Sequence, residues 1–214
     1  MEKKLNILSQ NDPILGKFIE VIGELKLNQR DDHYLSLVKS IIGQQLSVKA
    51  AGTIIDRFEK LLGGIITPEK VFMLSEDEIR SSGISRSKTN YIKDLSQKVL
   101  NKEVRLDTLK ALPNDEVIAE LTSVKGIGKW TAEMFLIFSL GRENVLSYLD
   151  VGLQRGAKWL YNSDDGRKVL EEKGGSWDPY HSIASLYLWE AVNRDFVKTH
   201  KSFEDFLQLH DSKL

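Results

Sequence analysis

The constraint that acts on the whole chain is a hydrophobic rhythm of three and four residues, interrupted repeatedly by capping and stop signals. "NDPILGKFIEVIGEL" sets Asp12 to cap a helix with Pro13 at its first position, followed by apolar residues at helical spacing. "HYLSLVKSIIGQQ" runs into "SVKAAGTIIDRFEKLLGG", where Ser47 can cap and Gly63 and Gly64 can end the helix in a left-handed conformation. "SEDEIRSSG" carries a capping box, Ser75 with Glu78, and stops at Gly83. "SKTNYIKDLSQKVL" and "PNDEVIAELTSV" continue the pattern, as do "KWTAEMFLIFSL" and "DVGLQRGAKWLY" beyond a pair of glycines. "SDDGRKVLEEKGG" reads as a short exposed helix and "DPYHSIASLYLWEAVNR" as a strongly apolar one. No stretch alternates in the manner of a strand. With four prolines and no low-complexity tract, the chain is expected to form a compact all-α fold.

Composition narrows the function classes. A chain of 214 residues can build one large domain or two small lobes with a real core. The absence of cysteine excludes a disulfide framework, a thiolate zinc site and a cysteine-held iron–sulfur cluster. No apolar run is long enough to span a membrane, and "MEKKLNILSQNDP" lacks the apolar core of a signal peptide. An intracellular setting is therefore expected, cytoplasmic in a prokaryote and nuclear in a eukaryote. The formal net charge of −1 lacks the usual basic footprint of a nucleic-acid binder, so any such binding must come from a local patch. The four histidines are scattered without metal-ligand spacing, and no nucleotide-binding glycine loop is present.

That patch is sought in "LTSVKGIGKWTA", residues 121–132. Gly126 and Gly128 allow a turn with positive φ and close approach of another chain. The first amides of the helix that follows have no internal partners and point outward at the positive end of the helix dipole. A phosphate oxygen can accept from them, in a contact blind to base sequence. Lys125 and Lys129 add positive charge. Taken alone, the same residues also describe a tight αα-hairpin with no ligand.

"LTSVKGIGKWTA" resembles the helix–hairpin–helix motif of DNA base-excision glycosylases. The resemblance extends to "IIGQQLSVKAA", "YLDVGLQRG" and "WDPYHSIASLYLW", in the expected order over most of the chain. It is strongest for the alkylpurine (DNA-3-methyladenine) glycosylase branch. The resemblance implies an all-helical fold of two lobes with a cleft between them and no N-terminal β domain. One lobe is expected over 33–140, including the hairpin, and the other from 1–32 plus 141–214. It implies a monofunctional enzyme that flips alkylated purines (3-methyladenine and 7-methylguanine types) out of double-stranded DNA and hydrolyses the N-glycosidic bond in base excision repair. A monomer without cofactor is expected, its DNA backbone held by Gly126, Gly128, Lys129 and Thr131. No metal is required, although the hairpin carbonyls can hold a monovalent cation as in relatives.

The chemistry needs an anion beside a sugar that turns into an oxocarbenium-like cation as the base departs. At about 4 Å and an effective dielectric near 20 the attraction is roughly 4 kcal/mol. Felt only in the transition state, that is about a thousandfold in rate. Asp150 is the candidate, since the family's essential aspartate matches this position, although a lone Asp before a helix also serves as an N-cap. Many relatives carry an acidic pair here, whereas this chain reads Tyr148, Leu149, Asp150. Trp130 stands where strand-cutting relatives carry a lysine, so no Schiff base forms there. Trp130 and Trp189 are expected to wall the base pocket, where electron-rich faces attract a cationic purine. Trp159 and Trp177 are expected in the core. Gln44, Gln45 and Leu46 are expected to fill the gap left by the flipped base, Leu46 as an apolar wedge and the glutamines on the widowed partner. The competing reading of this turn is a polar interhelix joint with Leu46 tucked inward. His181 stands where relatives often have arginine and is given no catalytic role. Two alternatives stay open: a glycosylase for another damaged base, and a non-enzymatic helix–hairpin–helix DNA-binding module, which would have no use for an acid at Asp150.

Overall fold

The computed structural model describes residues 1–211, which contain helices and no strand. They divide into two compact units, Met1–Asn28 with Gly141–Leu214, and Gln29–Leu140.

The first unit holds α1 (Glu2–Asn11), α2 (Pro13–Ile22), α10 (Val151–Leu160), α11 (Gly166–Trp177), α12 (His181–Asn193), α13 (Phe196–Thr199) and α14 (Phe203–Asp211). Its core gathers Leu8, Leu15, Phe18, Leu153, Tyr187 and Leu188 around two buried indoles. Trp159 and Trp177 are 4% and 0% exposed, as expected of core residues. Trp159 takes Phe18 edge-on with centroids 5.5 Å apart, and Phe18 in turn takes Phe203 edge-on at 5.2 Å. Asp12 caps α2 as its sequence position predicts, accepting from the Leu15 amide at 3.1 Å. Its second oxygen accepts from Trp177 Nε1 at 3.0 Å and from the Tyr161 hydroxyl at 2.6 Å. Asp12 is therefore a buried carboxylate whose hydrogen bonds join α2 to the distant ends of α10 and α11. Burial, with the Asp12 charge beside it, pushes the Tyr161 phenol above the ordinary tyrosine range.

One element departs from expectation. The stretch read as a short exposed helix is α11, which continues past Gly174 and Gly175 to Trp177 and buries Gly166, Val169, Leu170, Gly174 and Trp177. Those residues recur at helical spacing, but two are glycines, so the apolar stripe is hidden from a hydrophobicity count. Helices α1 and α14 were not anticipated, nor was Pro68–Met73 in the second unit, although Thr67 caps it and Pro68 opens it in the same way that Asp12 and Pro13 open α2.

The second unit holds α3 (His33–Gly43), α4 (Val48–Leu61), α5 (Pro68–Met73), α6 (Glu76–Ser81), α7 (Arg86–Leu100), a 3-10 turn (Leu109–Ala111), α8 (Asn114–Thr122) and α9 (Lys129–Phe138). Ser47 caps α4, the Ser75–Glu78 capping box opens α6, and Gly63 and Gly64 take φ of 70° and 84° after α4. Helix α7 is central. One face buries Thr89, Ile92, Leu95 and Ser96. An adjoining row, Lys88, Tyr91, Asp94 and Lys98, faces two loops. Tyr91 packs on the α8–α9 hairpin at Gly126, where an added Cβ would lie 2.1 Å from the ring and φ is +80°. Asp94 accepts from the Lys125 amide at 2.9 Å, and Lys98 Nζ donates to the Ser123 carbonyl at 2.6 Å.

Asp12→Ala is expected to cost roughly 3–5 kcal/mol in urea unfolding, because it removes a cap and strands two buried donors. Gly126→Ala is expected to cost roughly 2–4 kcal/mol, combining left-handed strain with overpacking against Tyr91. Tyr91→Ala in the same chain should recover the packing part of that loss, read from the same unfolding curves.

Candidate active site and nucleic-acid interface

Asp150 sits at the N-cap of α10, in extended backbone with φ −69° and ψ 116°. Its Oδ1 accepts from the Leu153 amide at 2.7 Å and from Trp189 Nε1 at 3.0 Å. The cap role and the orientation of the carboxylate are thus one arrangement: a helix-start amide and an indole N–H converge on a single oxygen. Asp150 is 6% exposed. Gly152 makes the approach possible, since a Cβ there would stand 3.0 Å from Asp150 Oδ1 and 3.2 Å from Trp189 Cδ1. Trp189 lies on α12 and packs against the core of its unit. On either side of the acid, Leu149 and Val151 are 63% and 69% exposed, so an apolar rim flanks an inward carboxylate. The preceding loop is held by Gln154 Nε2, which donates to the Tyr148 carbonyl at 2.8 Å. His181 is occupied locally: its Nε2 lies 2.8 Å from the Gly174 carbonyl oxygen and its amide donates to Asn144 Oδ1.

In the second unit the two hairpin glycines behave differently. Gly126 alone takes positive φ, whereas Gly128 is extended at φ −93° and a Cβ there would meet nothing within 4 Å. Gly128 is the N-cap of α9, and no side chain caps that end. Lys129 opens the helix and lies 3.9 Å from Glu133; Lys125 lies 3.7 Å from Asp94. Both ammonium groups are mostly exposed, so these pairs are screened and weak. Trp130 is 47% exposed rather than part of the core. Thr131 is 5% exposed, so its side chain is inside and its contribution to an anion at this helix end would come from the backbone.

The stretch 43–46 forms a tight turn between α3 and α4. The Leu46 amide donates to the Gly43 carbonyl at 3.1 Å, Gln44 has φ −52° and ψ 128°, and Gln45 has φ +57°. These are the angles of a type II turn, whose third residue is ordinarily glycine or asparagine. Leu46 is 39% exposed and Val48 92%, so Leu46 is not tucked inward. Lys88 Nζ donates to the Ile42 and Gln44 carbonyls at 2.9 and 2.6 Å. Partial burial lowers the pKa of that ammonium below the usual lysine range. Gln44 Nε2 donates to the Gly126 carbonyl at 2.8 Å, joining this turn to the glycine hairpin.

The hairpin carbonyls that could hold a monovalent cation already serve protein donors. Ser123 accepts from Lys98, Gly126 from Gln44, and Val124 from the Ile127 amide at 3.1 Å. A cation bound at the Ser123 carbonyl would compete with the Lys98 ammonium. Among the described residues no group of three or more acidic or histidine side chains stands together as a metal site. No helix among them is long and apolar enough to cross a membrane.

The sequence reading missed the second tier of the site: Lys88, Tyr91, Asp94 and Lys98 behind the loops, and Gly152 beneath the acid. The four α7 residues do recur at helical spacing, but their partners lie in other elements, so the spacing alone marks nothing more than a polar face.

Comparison with known proteins identifies the family. Residues 38–179 match the model of the HhH-GPD superfamily base excision DNA repair proteins. A crystal structure of a DNA-3-methyladenine glycosidase from Bacillus halodurans superposes with a TM-score of 0.88 at 43% identity, covering 96% of this chain and 95% of that one. The 3-methyladenine DNA glycosylase Mag1 of Schizosaccharomyces pombe, solved in complex with abasic DNA, gives 0.80 at 28% identity, covering 89% and 97%. A Bacillus subtilis relative, YfjP, is 32% identical over 168 residues, a match spanning 74% of this chain but only 58% of that protein. With the family model covering well over half of its residues, the chain belongs to the HhH-GPD superfamily of base excision DNA repair proteins.

Proposed function

We propose that this protein is a monofunctional DNA glycosylase that excises alkylated purines from double-stranded DNA, with Asp150 as the catalytic residue. The observation that carries the reading is the carboxylate itself, 6% exposed and oriented by the Leu153 amide and Trp189 Nε1. A binding module has no need for such an oriented acid. The names of similar proteins, among them DNA-3-methyladenine glycosylase 1 of Schizosaccharomyces pombe at 28% identity over 200 residues, support the substrate class.

In this mechanism the amides at the α9 N-terminus, from Gly128 onward, donate to a backbone phosphate. Leu46 enters the space left by the extruded nucleotide and Gln45 faces the widowed base. Trp130 offers an exposed indole to stack on the extruded purine, whose ring charge favours an electron-rich face. The bond between the purine nitrogen and the sugar carbon then breaks, its electron pair leaving with the base. The positive charge on the sugar is stabilised by Asp150, and water adds to the same carbon, losing a proton. N-alkylation has already weakened the bond, so modest catalysis suffices. Trp130 has no amine with which to form a Schiff base, and Lys129 lies near Glu133, so the reaction ends with base release. Trp189 acts in this reading through its hydrogen bond to Asp150 as well as by walling the pocket.

Asp150→Asn keeps an oxygen for both donors but removes the charge. Base release from methylated DNA, followed by chromatography, is expected to fall by about a thousandfold with DNA affinity within a few fold; undiminished release would refute the mechanism. Gly128→Ala has room within the fold, so its unfolding free energy should change by less than about 1 kcal/mol. Its DNA affinity should fall for all sequences alike, measured by fluorescence anisotropy on unrelated duplexes; a changed base preference would contradict a backbone-only contact.

A further inference from the structure

Lys88 has no carboxylate partner among the described residues, yet its ammonium is drawn into the protein to meet two carbonyls. One of them, Ile42, belongs to the last turn of α3, where a lysine commonly satisfies orphan carbonyls. The other does not. The Gln44 carbonyl belongs to the peptide between Gln44 and Gln45, at the centre of the type II turn. Type I and type II turns differ by a flip of that one peptide. In the type I form Gln45 would sit at negative φ, the relaxed choice for a side chain other than glycine. In the observed form it sits at +57°. The 2.6 Å bond from Lys88 holds the carbonyl on the side that only the strained turn presents.

The turn is tied a second time. Gln44 Nε2 donates to the Gly126 carbonyl, and Gly126 is in turn clamped against Tyr91. Lys88 and Tyr91 lie one turn apart on α7, so one rigid helix sets both the turn at Leu46 and the hairpin at Gly128.

We propose that Lys88 is a positioning residue for base extrusion: it selects the strained turn that aims Gln45 and Leu46, and α7 holds that turn in fixed register with the phosphate-binding hairpin. The inference rests on the glycosylase reading above, with Leu46 as the wedge. Lys88 touches neither substrate nor reacting atoms in this scheme. Its loss should therefore matter where a base pair must be opened and its place filled, and not where the pairing partner is already missing.

The test compares single-turnover release of 7-methylguanine from two duplexes, one with cytosine opposite the lesion and one with a single-nucleotide gap there. Lys88→Met, which keeps the aliphatic stem, is expected to slow release from the paired duplex by about tenfold or more and from the gapped duplex by less than about twofold. Lys88→Arg, which keeps donors and charge, should recover most of the rate. Added to Leu46→Ala, the Met variant should slow the paired reaction little further, because both act through the same wedge. Equal slowing on both duplexes, or none on either, overturns the role of Lys88; thermal unfolding of each variant, run alongside, identifies equal slowing that comes from a damaged fold, and Lys88→Gln, uncharged and too short to reach both carbonyls, then takes the place of the Met variant with the same expected result. The premise is tested separately. Wild-type protein that frees no purine from either duplex removes the glycosylase reading, and Leu46→Ala without a selective defect removes the wedge. A selective Leu46→Ala beside a non-selective Lys88→Met overturns this proposal alone.

Discussion

Every helix start leaves amide hydrogens without intrahelical partners, and an all-helical chain of short helices meets that problem repeatedly. Here the solution is most often a side-chain oxygen at the N-cap: Asp12, Asp32, Ser47, Thr67, Ser75, Ser85, Asp150 and Asp165 each accept from an amide three residues on. Two of these caps are buried aspartates that also take an indole N–H. Asp12 joins Leu15 to Trp177, and Asp150 joins Leu153 to Trp189. The same local device serves two ends. At Asp12, with Tyr161 as a further donor, it ties the unit's helices together. At Asp150 it sets the direction of a carboxylate between two outward apolar side chains.

In the second unit the organising part is a helix side rather than a cap. Lys88, Tyr91, Asp94 and Lys98 of α7 meet, in order along the helix, the 43–46 turn and the 121–128 hairpin. Neither loop has secondary structure to stiffen it. Each is instead fixed by charged or aromatic groups on a rigid element, the arrangement expected where loop geometry must be held to a fraction of an ångström. The strain at Gln45 belongs with this, since an unfavourable backbone angle persists only where neighbours over-determine it.

Much of the local structure was legible in the residues. Asp12, Ser47, Ser75 with Glu78, and the glycine pair after α4 mark helix ends because capping depends on groups a few residues apart. The glycine hairpin and the acid at 150 were found for the same reason: both lie in short stretches with recognisable order. Helix α11 was misjudged because two of its inward positions are glycines. Gly126 and Gly128 looked equivalent in sequence, yet only the first is forced by positive φ and a neighbouring ring. That distinction depends on Tyr91, which no reading of the hairpin alone can supply.

By itself, then, the sequence determined most of the helices and their capped ends, through bonds that close within one helical turn, and the family and the candidate acid, through short motifs in a recognisable order. Only the tertiary structure decided what holds the site. The Trp189–Asp150 bond spans 39 residues, Lys88 to the Gln44 carbonyl 44, and Gln44 to the Gly126 carbonyl 82. Such pairs form because packing brings distant segments together and compensates the entropy of closing the chain between them. Nothing in the identity of a lysine or a tryptophan says which carbonyl or carboxylate it will meet.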